Sequence, residues 1–355
     1  MAKTKVLKIN PAVPEPEKIA EAARIIRQGG LVIFPTETVY GIAADSNNPK
    51  AMERLCHVKQ RGEDKPFSIL VAQRGIVENY SNYTNPNLYK LIDKYWPGPM
   101  TVILPTKQEG ETIGIRMPDH TIALRLVEES ACTIAAPSAN LEGKKAPTNL
   151  SESLEDLDGQ VDLAIDGGPV EFGISSTIVD FTKPKPTVIR EGVISQCDVD
   201  RTVNKKVVLF VCTGNSCRSV MAEYLLKAKL IGREDVEVTS AGTSVVFKSS
   251  ASQETLAVLR ERGINPVAHI SKPLGRIILR KADLIFVMTR SHRTQVLDHA
   301  PYVEKRIYML KEFCRPTSGG EMELDVPDPI GQSHSSYQEC LLTINEAVEK
   351  IVELL

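Results

Sequence analysis

The chain has 355 residues and a formal net charge of −2, which argues against a surface that coats nucleic acid but leaves room for a local basic groove. No apolar run approaches membrane-spanning length, and the charged N-terminal segment lacks a signal-peptide core, so we expect no membrane partner. Seven cysteines without a Cys-x-x-Cys pair do not predict a disulfide framework. The length favours about two domains.

Short strands and helices separated by turn residues fill the first part of the chain. The apolar patterns predict helices at 19–27 and 51–58, and strands at 6–9, 31–34, 67–71, 100–104, 112–116, 134–136, 178–181 and 187–190. A polar stretch at 197–206 shows no clear period, and we place the domain boundary there. The predicted domains are 1–200 and 205–355.

Strands and helices alternate regularly in the second part. Strands are predicted at 207–211, 236–240, 284–287 and 307–309, and helices at 219–230, 252–262, 291–299 and 336–355. This alternation is typical of an α/β fold with a doubly wound parallel sheet. Ligands of such sheets bind at the carboxyl ends of the strands.

The segment CTGNSCRS, Cys212 to Ser219, lies at such a strand end and directly before a helix. A loop of small residues that enters a helix presents free backbone N–H groups, which together bind a tetrahedral dianion. The same groups favour the thiolate form of Cys212, and Arg218 offers a bidentate fork to phosphate oxygens. The segment therefore predicts phosphoryl transfer through a phosphocysteine.

Basic and small polar residues fall on loops and strand ends of the first part. Scattered basic residues are often only solvated surface, but several small-residue loops that carry donors favour a phosphate or nucleotide pocket. The residues concerned are Lys59, Arg61, Lys65, Arg116, Arg190, Ser138 and Asn140.

An ordered set of motifs extends this prediction. The set is PTETVYG at 35–41, Lys-x-Arg at 59–61, WPGP at 96–99, Ser-x-Asn at 138–140, SSTIVD at 175–180 and REG at 190–192. It resembles the YrdC/TsaC family of L-threonylcarbamoyladenylate synthases over about residues 5–200. The resemblance implies a YrdC-like twisted α/β sheet domain that condenses L-threonine, bicarbonate and ATP to threonylcarbamoyl-AMP and pyrophosphate. The product serves tRNA threonylcarbamoyladenosine formation, so tRNA and tRNA-modification proteins are candidate partners.

The resemblance also implies residue roles, and it brings Mg²⁺ in with ATP rather than at a separate metal site. ATP would be bound by Lys59, Arg61, Lys65, Thr112, Ser138, Asn140, Ala146 and Arg190. L-threonine would be bound by Thr36 or Thr38, Arg116, the backbone of Ala136, and Ser176. No general base stands out, so positioning and charge neutralisation would carry the reaction.

Two positions of this part depart from the family pattern. Gly62 replaces the proline that usually follows Lys-x-Arg, and Leu70 stands where some members have a histidine. The alternative interpretation is a non-catalytic module that binds RNA or nucleotides.

The second part resembles low-molecular-weight protein phosphatases over about residues 205–355, through the Cys212 segment, SAGT at 240–243, VMTRSH at 287–292 and an Asp-Pro acidic loop. The resemblance implies that Cys212 is the nucleophile, Arg218 the phosphate clamp, Ser219 the partner of the thiolate and Asn215 a loop-shaping residue. Asp328 would be the general acid, with Asp325 as a competitor in the same loop. The substrate would be a phosphorylated protein, and no cofactor is implied. A nucleophilic thiol requires a reducing compartment, so a cytoplasmic location is expected.

Substrate choice stays open between phosphotyrosine, which is favoured as the commoner activity, and phosphoarginine. Ser216 replaces a bulky aliphatic residue of phosphotyrosine enzymes, and Ile330 replaces an aromatic wall for which Phe247 is a partial substitute. Val220 replaces a proline. Arsenate reduction is disfavoured because no relay pair of cysteines lies around 280–295.

The remaining cysteines and histidines have less specific roles. Cys217 is either a redox partner of Cys212, able to form a protective disulfide, or a packing residue. Cys314 and Cys340 are expected as buried thiols. Helix-end or surface positions are expected for His269, His292 and His334.

Overall fold

The computed structural model describes residues 3–62, 66–266, 268–314 and 323–355. Contacts between residues divide the chain into two compact units. The first unit is Met1–Tyr83 with Lys90–Thr202, and the second is Val203–Leu355 with Thr84–Tyr89. Both units are α/β, as the sequence predicts.

A mixed ten-stranded sheet forms the centre of the first unit within the described chain. Its strands are β1 (Lys5–Lys8), β2 (Val32–Phe34), β3 (Gly41–Asp45), β4 (Ile69–Leu70), β5 (Met100–Pro105), β6 (Thr112–Arg116), β7 (Ile134–Ala135), β8 (Leu163–Asp166), β9 (Thr177–Asp180) and β10 (Thr187–Arg190). The spatial order is β1-β8-β2-β3-β7-β4-β6-β5-β9-β10.

Helices cover both faces of this sheet. They are α1 (Pro16–Arg27), α2 (Pro49–Lys59), α3 (Val77–Tyr80), α4 (Pro86–Tyr95), α5 (Thr121–Ser130), α6 (Leu150–Leu157) and α7 (Gln196–Val203). Val32 and Phe34 pack with α1 and α5, whereas Leu31 and Ile33 pack with α2 and α6. Adjacent strand residues point to opposite faces, so both faces of β2 are buried.

The sequence analysis missed β3, β8 and several helices of the first unit. Strand β3, GIAAD, contains residues with low strand propensity. It is nevertheless paired along its length with β2 and almost fully buried, so tertiary packing decides its conformation. The lack of a hydrophobic period at 197–206 also failed to predict the helix that lies there. Helix α7 covers most of that stretch and buries Val199 and Thr202 one turn apart.

The second unit contains the predicted parallel sheet, in the order β12-β11-β13-β14. Its strands are β11 (Lys206–Cys212), β12 (Val236–Gly242), β13 (Leu284–Val287) and β14 (Ile307–Met309). The helices are α8 (Arg218–Lys229), α9 (Gln253–Arg260), α10 (Arg276–Lys281), α11 (Arg290–His299) and α12 (His334–Leu354). Short α10 was not predicted.

Strand β11 is central and buried on both faces. Val208 and Phe210 pack with α8 and α12, whereas Val207, Leu209 and Val211 pack with α10 and α11. The strand ends at Cys212, which is paired in register with Gly242 of β12. The doubly wound architecture therefore places Cys212 at the carboxyl edge of the sheet.

Candidate active sites

The loop from Cys212 to Ser219 joins the end of β11 to the start of α8. Cys212 Sγ lies 2.9 Å from Ser219 Oγ, and both residues are almost fully buried. Asn215 Nδ2 donates to the same Ser219 oxygen at 3.0 Å. This bond leaves the hydroxyl hydrogen of Ser219 free to point at the sulfur.

Asn215 holds the loop in shape. Its φ of 52° is left-handed, a conformation that asparagine tolerates better than most residues. The side chain also donates to Ser240 Oγ at 2.7 Å and accepts from the backbone N–H of Lys272 at 2.8 Å. The loop conformation therefore depends on contacts with β12 and with the chain near Lys272.

Arg218 is held by the acidic loop that precedes α12. Its Nη1 donates to Val326 O at 3.1 Å, and its Nη2 forms an ion pair with Asp328 Oδ2. The Nε atom is buried and has no hydrogen-bond partner in the described chain. A phosphate oxygen would satisfy this donor.

The structure separates the two candidate acids. Asp328 contacts Arg218, and its side chain is 41% exposed, open to a ligand. Asp325 instead accepts the backbone N–H of Arg290 at 2.8 Å, at the first residue of α11. Asp328 is therefore next to the loop from Cys212 to Ser219 (called the phosphate loop after its predicted ligand), whereas Asp325 binds the backbone at the start of α11.

Cys217 lies at the N-cap of α8 as a buried free thiol. Its Sγ is 3.4 Å from Ser252 Oγ and 3.7 Å from the hydroxyl of Tyr337 in α12. The thiol therefore packs between the N-cap of α9 and α12, and its role as a redox partner of Cys212 stays a prediction. Cys340 is buried, and burial raises the pKa of its thiol to about 12. Cys314 is only partly buried, contrary to expectation.

The expectation for the histidines is wrong in part. His334 is exposed at the first residue of α12, between Glu254 and Glu261. His269 is buried, with Nε2 2.9 Å from Asn215 O. Sequence patterns gave no signal for this contact because 54 residues separate the two.

His292 is also buried, although it lies in the first turn of α11. Its Nε2 is 2.8 Å from Thr213 Oγ1 in the phosphate loop, and its Nδ1 is 2.8 Å from Thr289 Oγ1. Burial, reinforced by the Arg218 guanidinium, lowers the pKa of His292 to about 4. The imidazole is therefore neutral near pH 7.

Two large apolar side chains of this unit are exposed near the carboxyl edge of the sheet. Phe247 follows β12 and is 82% exposed, and Ile330 follows Asp328 and is 62% exposed. Ser216 is half-buried within the loop itself.

In the first unit, a cavity of about 350 Å³ gathers most of the predicted ligand-binding residues. Leu70, at the position where some family members have histidine, lines it as well. The predicted residues along its wall are Thr36, Lys59, Arg61, Thr112, Arg116, Ala136, Ser138, Asn140, Ser176 and Arg190. Thr38 and Ala146 are not among its lining residues, and Lys65 lies outside the described residues.

Thr38 does not line the cavity itself but contacts Arg116, which does. The guanidinium Nη2 donates to Thr38 Oγ1 and to Glu37 Oε1, both at 2.7 Å, and Nε donates to Gly98 O at 3.3 Å. Glu37, in PTETVYG, was not singled out from the sequence, because a motif position alone does not reveal its partner. Arg116 and Glu37 form a buried ion pair.

Arg190 lies near Arg116 in the same cavity. It donates from Nε and Nη2 to Ser176 O, and from Nη2 to Ser176 Oγ at 3.0 Å. Burial, together with the nearby Arg116, lowers the pKa of Arg190. The Ser176 hydroxyl also contacts Thr101 Oγ1 at 2.8 Å, so SSTIVD and REG form one polar cluster.

Gly192, the glycine of REG, lies where two backbone segments of this cluster approach each other closely. A Cβ at Gly192 would lie 2.3 Å from Ser175 O and 2.8 Å from Thr177 N. The glycine is therefore required by the close approach of two backbone segments.

Lys59 and Arg61 form a second pair of cations. Lys59 Nζ donates to the backbone oxygens of Ser138 and Asn140, and so ties the Ser-x-Asn loop to the end of α2. Burial, with a smaller contribution from Arg61, lowers the pKa of Lys59 to about 8. Arg61 lies over the Phe67 ring at 4.8 Å, and its buried Nε has no hydrogen-bond partner in the described chain.

The described residues lack two further features. They contain no cluster of three His, Cys, Asp or Glu side chains suited to a metal ion. Among their helices, none has the length and apolar character needed to cross a membrane.

In comparisons with known proteins, a family model matches each unit. The family model Sua5/YciO/YrdC, described as telomere recombination, matches residues 24–192. The family model described as low molecular weight phosphotyrosine protein phosphatase matches residues 207–355.

Similar proteins match the first unit closely. A threonylcarbamoyl-AMP synthase of Bacillus subtilis is 37% identical over 195 residues, which are 52% of this chain and 56% of that protein. A putative threonylcarbamoyl-AMP synthase of Methanocaldococcus jannaschii is 36% identical over 200 residues, 54% of this chain and 95% of that protein. The chain thus spans little more than half of the Bacillus relative.

A solved structure extends the comparison to most of the chain. It is Pyrococcus abyssi Sua5 complexed with L-threonine, with 26% sequence identity, coverage of 86% of this chain and 99% of that chain, and a TM-score of 0.54. The chain therefore belongs to the Sua5/YciO/YrdC family through its first unit, and its second unit matches the family model of low molecular weight phosphotyrosine protein phosphatases.

Proposed function

We propose that the chain is bifunctional. Its first unit forms threonylcarbamoyl-AMP and pyrophosphate from L-threonine, bicarbonate and ATP, for tRNA modification. Its second unit hydrolyses protein phosphomonoesters through a phosphocysteine. Because the proposed nucleophile is a free thiol, we place the protein in a reducing compartment, the cytoplasm. Binding of tRNA or of tRNA-modification proteins stays a prediction.

The observation that carries the first activity is the presence of two cation pairs in one cavity. Arg116 and Arg190 form one pair, and Lys59 and Arg61 form the other. The reaction brings together a carboxylate and a triphosphate, so it needs two anion subsites. Relatives named as synthases, and one solved with L-threonine, support this assignment.

In the proposed reaction, the threonine amine combines with bicarbonate and water is lost. A carbamate oxygen then attacks the α-phosphorus of ATP, and the bond to the bridging oxygen of pyrophosphate breaks. Lys59 and Arg61 would stabilise the charge on the leaving pyrophosphate. Arg116 would hold the threonine carboxylate, with Thr36 and Ser176 beside it.

The groups that line the cavity indicate how Mg²⁺ would be bound. Its lining residues include one carboxylate, Glu142, among cationic and hydroxyl groups. Mg²⁺ prefers several oxygen ligands, which ATP supplies through its phosphates. Mg²⁺ would therefore arrive bound to ATP.

The test of the first activity is pyrophosphate release by the full chain with ATP and bicarbonate, with and without L-threonine. We expect release only with L-threonine, and an about hundredfold lower kcat/KM in Arg61→Gln, the size typical for loss of a charge-stabilising donor. The matched control is Arg54→Gln, since Arg54 lies on α2, which ends two residues before Arg61, but pairs with Asp162 outside the cavity. Release that is independent of threonine would contradict the proposal.

The observation that carries the second activity is the cluster of Cys212, Arg218 and Asp328. Cys212 Sγ would attack phosphorus, and the leaving oxygen would take its proton from Asp328. Asp328 would then accept a proton from the water that attacks the phosphocysteine, and this step releases phosphate. Arg218 would bind two phosphate oxygens, with Nε as one donor.

We propose phosphotyrosine as the substrate and keep phosphoarginine as the second candidate. Phe247 and Ile330 provide exposed apolar surface that an aromatic ring can contact. Ser216 favours the alternative, because a small hydroxyl residue leaves room for a guanidinium group and can hydrogen-bond it.

The test is hydrolysis of matched phosphotyrosine and phosphoarginine peptides by the full chain. We expect a higher kcat/KM for phosphotyrosine, and no turnover of either peptide by Cys212→Ser. Cys197→Ser is the matched control, since Cys197 is an exposed thiol of α7. Wild-type activity in Cys212→Ser would rule out the phosphocysteine.

A further inference from the structure

Glu37 is a buried carboxylate to which the family resemblance assigns no role. It lies between β2 and β3, is 3% exposed, and contacts Arg116 Nη2 through Oε1 at 2.7 Å. Its second oxygen, Oε2, is buried and has no hydrogen-bond partner in the described chain. The carboxylate is therefore held by Arg116 and not by a network of its own.

The contacts of Arg116 are confined to one edge of its guanidinium. Nε donates to Gly98 O, and Nη2 donates to Glu37 and Thr38. Within the described residues, Nη1 makes no such bond, and Arg116 lines the cavity. One edge of the fork is thus fixed, and the Nη1 donors remain available for an anion.

The charge of Glu37 has a second consequence. Arg116 is buried and Arg190 is exposed, and the two lie close enough for Arg116 to lower the pKa of Arg190. Two like charges repel each other more strongly where one of them is buried, as Arg116 is, and an opposite charge next to the buried one reduces the cost. Glu37 therefore allows Arg116 to remain beside Arg190 when no anionic ligand is bound.

We propose that Glu37 is a positioning residue that orients Arg116 to bind the carboxylate of the amino-acid substrate. This inference rests on the proposed function of the first unit. Glu37 does not touch the substrate and acts only through Arg116. Its loss should therefore weaken binding of L-threonine and leave binding of ATP nearly unchanged.

The test is calorimetric titration of the full chain with L-threonine and, separately, with ATP. Glu37→Gln keeps the size of the side chain and removes its charge. We expect its Kd for L-threonine to rise about tenfold, the scale of one charge-assisted hydrogen bond, with the Kd for ATP unchanged within about twofold. Glu21→Gln, which breaks the exposed Lys5–Glu21 pair, is the matched control and should bind both ligands as the wild type does.

A double-substitution cycle separates positioning from a general effect on the fold. If Glu37 acts through Arg116, Glu37→Gln adds no further loss of threonine affinity to Arg116→Lys. Additive losses would overturn the inference, as would equal losses for ATP and threonine. Should Glu37→Gln fail to fold, Glu37→Asp keeps the charge and withdraws it by one methylene, and we expect an intermediate loss.

The binding measurements distinguish a failure of the proposed function from a failure of the role proposed for Glu37. If the wild-type chain binds no L-threonine, the proposed function fails and this inference fails with it. If the wild type binds L-threonine and a folded Glu37→Gln or Glu37→Asp variant binds it equally tightly, only the role of Glu37 is refuted.

Discussion

Thr213 Oγ1 in the phosphate loop and His292 Nε2 in the first turn of α11 lie 2.8 Å apart. The hydroxyl of Thr289 lies 2.8 Å from the other ring nitrogen, so the imidazole joins the two threonines. The residue after the proposed nucleophile is thereby tied to the neighbouring strand and helix. A neutral imidazole satisfies both contacts, because one ring nitrogen donates to a hydroxyl oxygen and the other accepts a hydroxyl hydrogen.

The stability of the second unit should therefore depend on pH through His292. Its pKa is about 4 in the folded chain and about 6.5 in an unfolded one, so the unfolded state binds more protons between these values. The contribution is fully present above about pH 6.5 and is lost as the pH falls toward 4.

Thermal unfolding of wild type and His292→Gln between pH 7 and pH 4.5 measures this effect. We expect the unfolding temperature of the wild type to fall more steeply than that of the variant, since both share all other titrating groups. Parallel curves would show that His292 does not titrate in this window.

Asp328 and Asp325 should differ in their effect on phosphatase turnover. Asp328 contacts Arg218 and is the proposed acid, whereas Asp325 accepts a backbone N–H of α11. Asp328→Asn should lower kcat by about 10²–10⁴, the usual contribution of a general acid, and most for poor leaving groups. Asp325→Asn is the control and should change kcat by less than about tenfold, as expected for a group outside the chemistry. Steady-state kinetics with aryl phosphates of different leaving-group pKa measures both, and equal losses would contradict the assignment.

How far the sequence predicts the fold depends on whether a pattern is local. Strand β11 is a continuous run of apolar residues that both faces bury, so its pattern alone predicts it. Strand β3 contains glycine and alanine and is a strand because β2 and β7 pair with it. Such pairing depends on residues far away in sequence, which a local pattern does not contain.

The same distinction applies to the sites. The position of the Cys212 loop at the end of β11 could be predicted because Cys212, the loop backbone and Arg218 are contiguous in the chain. Glu37 and His292 were not, since each acquires its role from a partner 79 residues away in the chain. Of the two alternatives Thr36 and Thr38, Thr36 lines the cavity, whereas Thr38 is not a lining residue and accepts a hydrogen bond from Arg116.

ATP affinity should weaken as the pH rises through about 8. The pKa of Lys59 is lowered to about 8, so its ammonium group loses its proton above that value. Loss of one positive charge next to the triphosphate should raise the Kd for ATP about threefold to tenfold between pH 7 and pH 9. Titrations with ATP across this range measure the change.

Two variants make the cause specific. Lys59→Met should bind ATP weakly at pH 7 and show little further change at pH 9. Lys50→Met, at the exposed start of the same helix, should follow the wild-type curve. If Lys59→Met retained the full pH dependence, another group would be responsible.

Gly242 should be required for the geometry of the phosphate loop. A Cβ there would lie 2.5 Å from Thr213 O and 2.9 Å from Asn215 N, both backbone atoms of the loop. Gly242→Ala should therefore displace the loop, reduce phosphatase kcat/KM by about tenfold or more, and destabilise the second unit by about 1–3 kcal/mol, as overpacking usually does. Gly275→Ala is the matched control, because a Cβ at Gly275 meets no atom within 4 Å. Phosphatase assays and urea unfolding of both variants provide the measurement. Wild-type activity in Gly242→Ala would mean that the loop adapts to the added methyl group without losing its function.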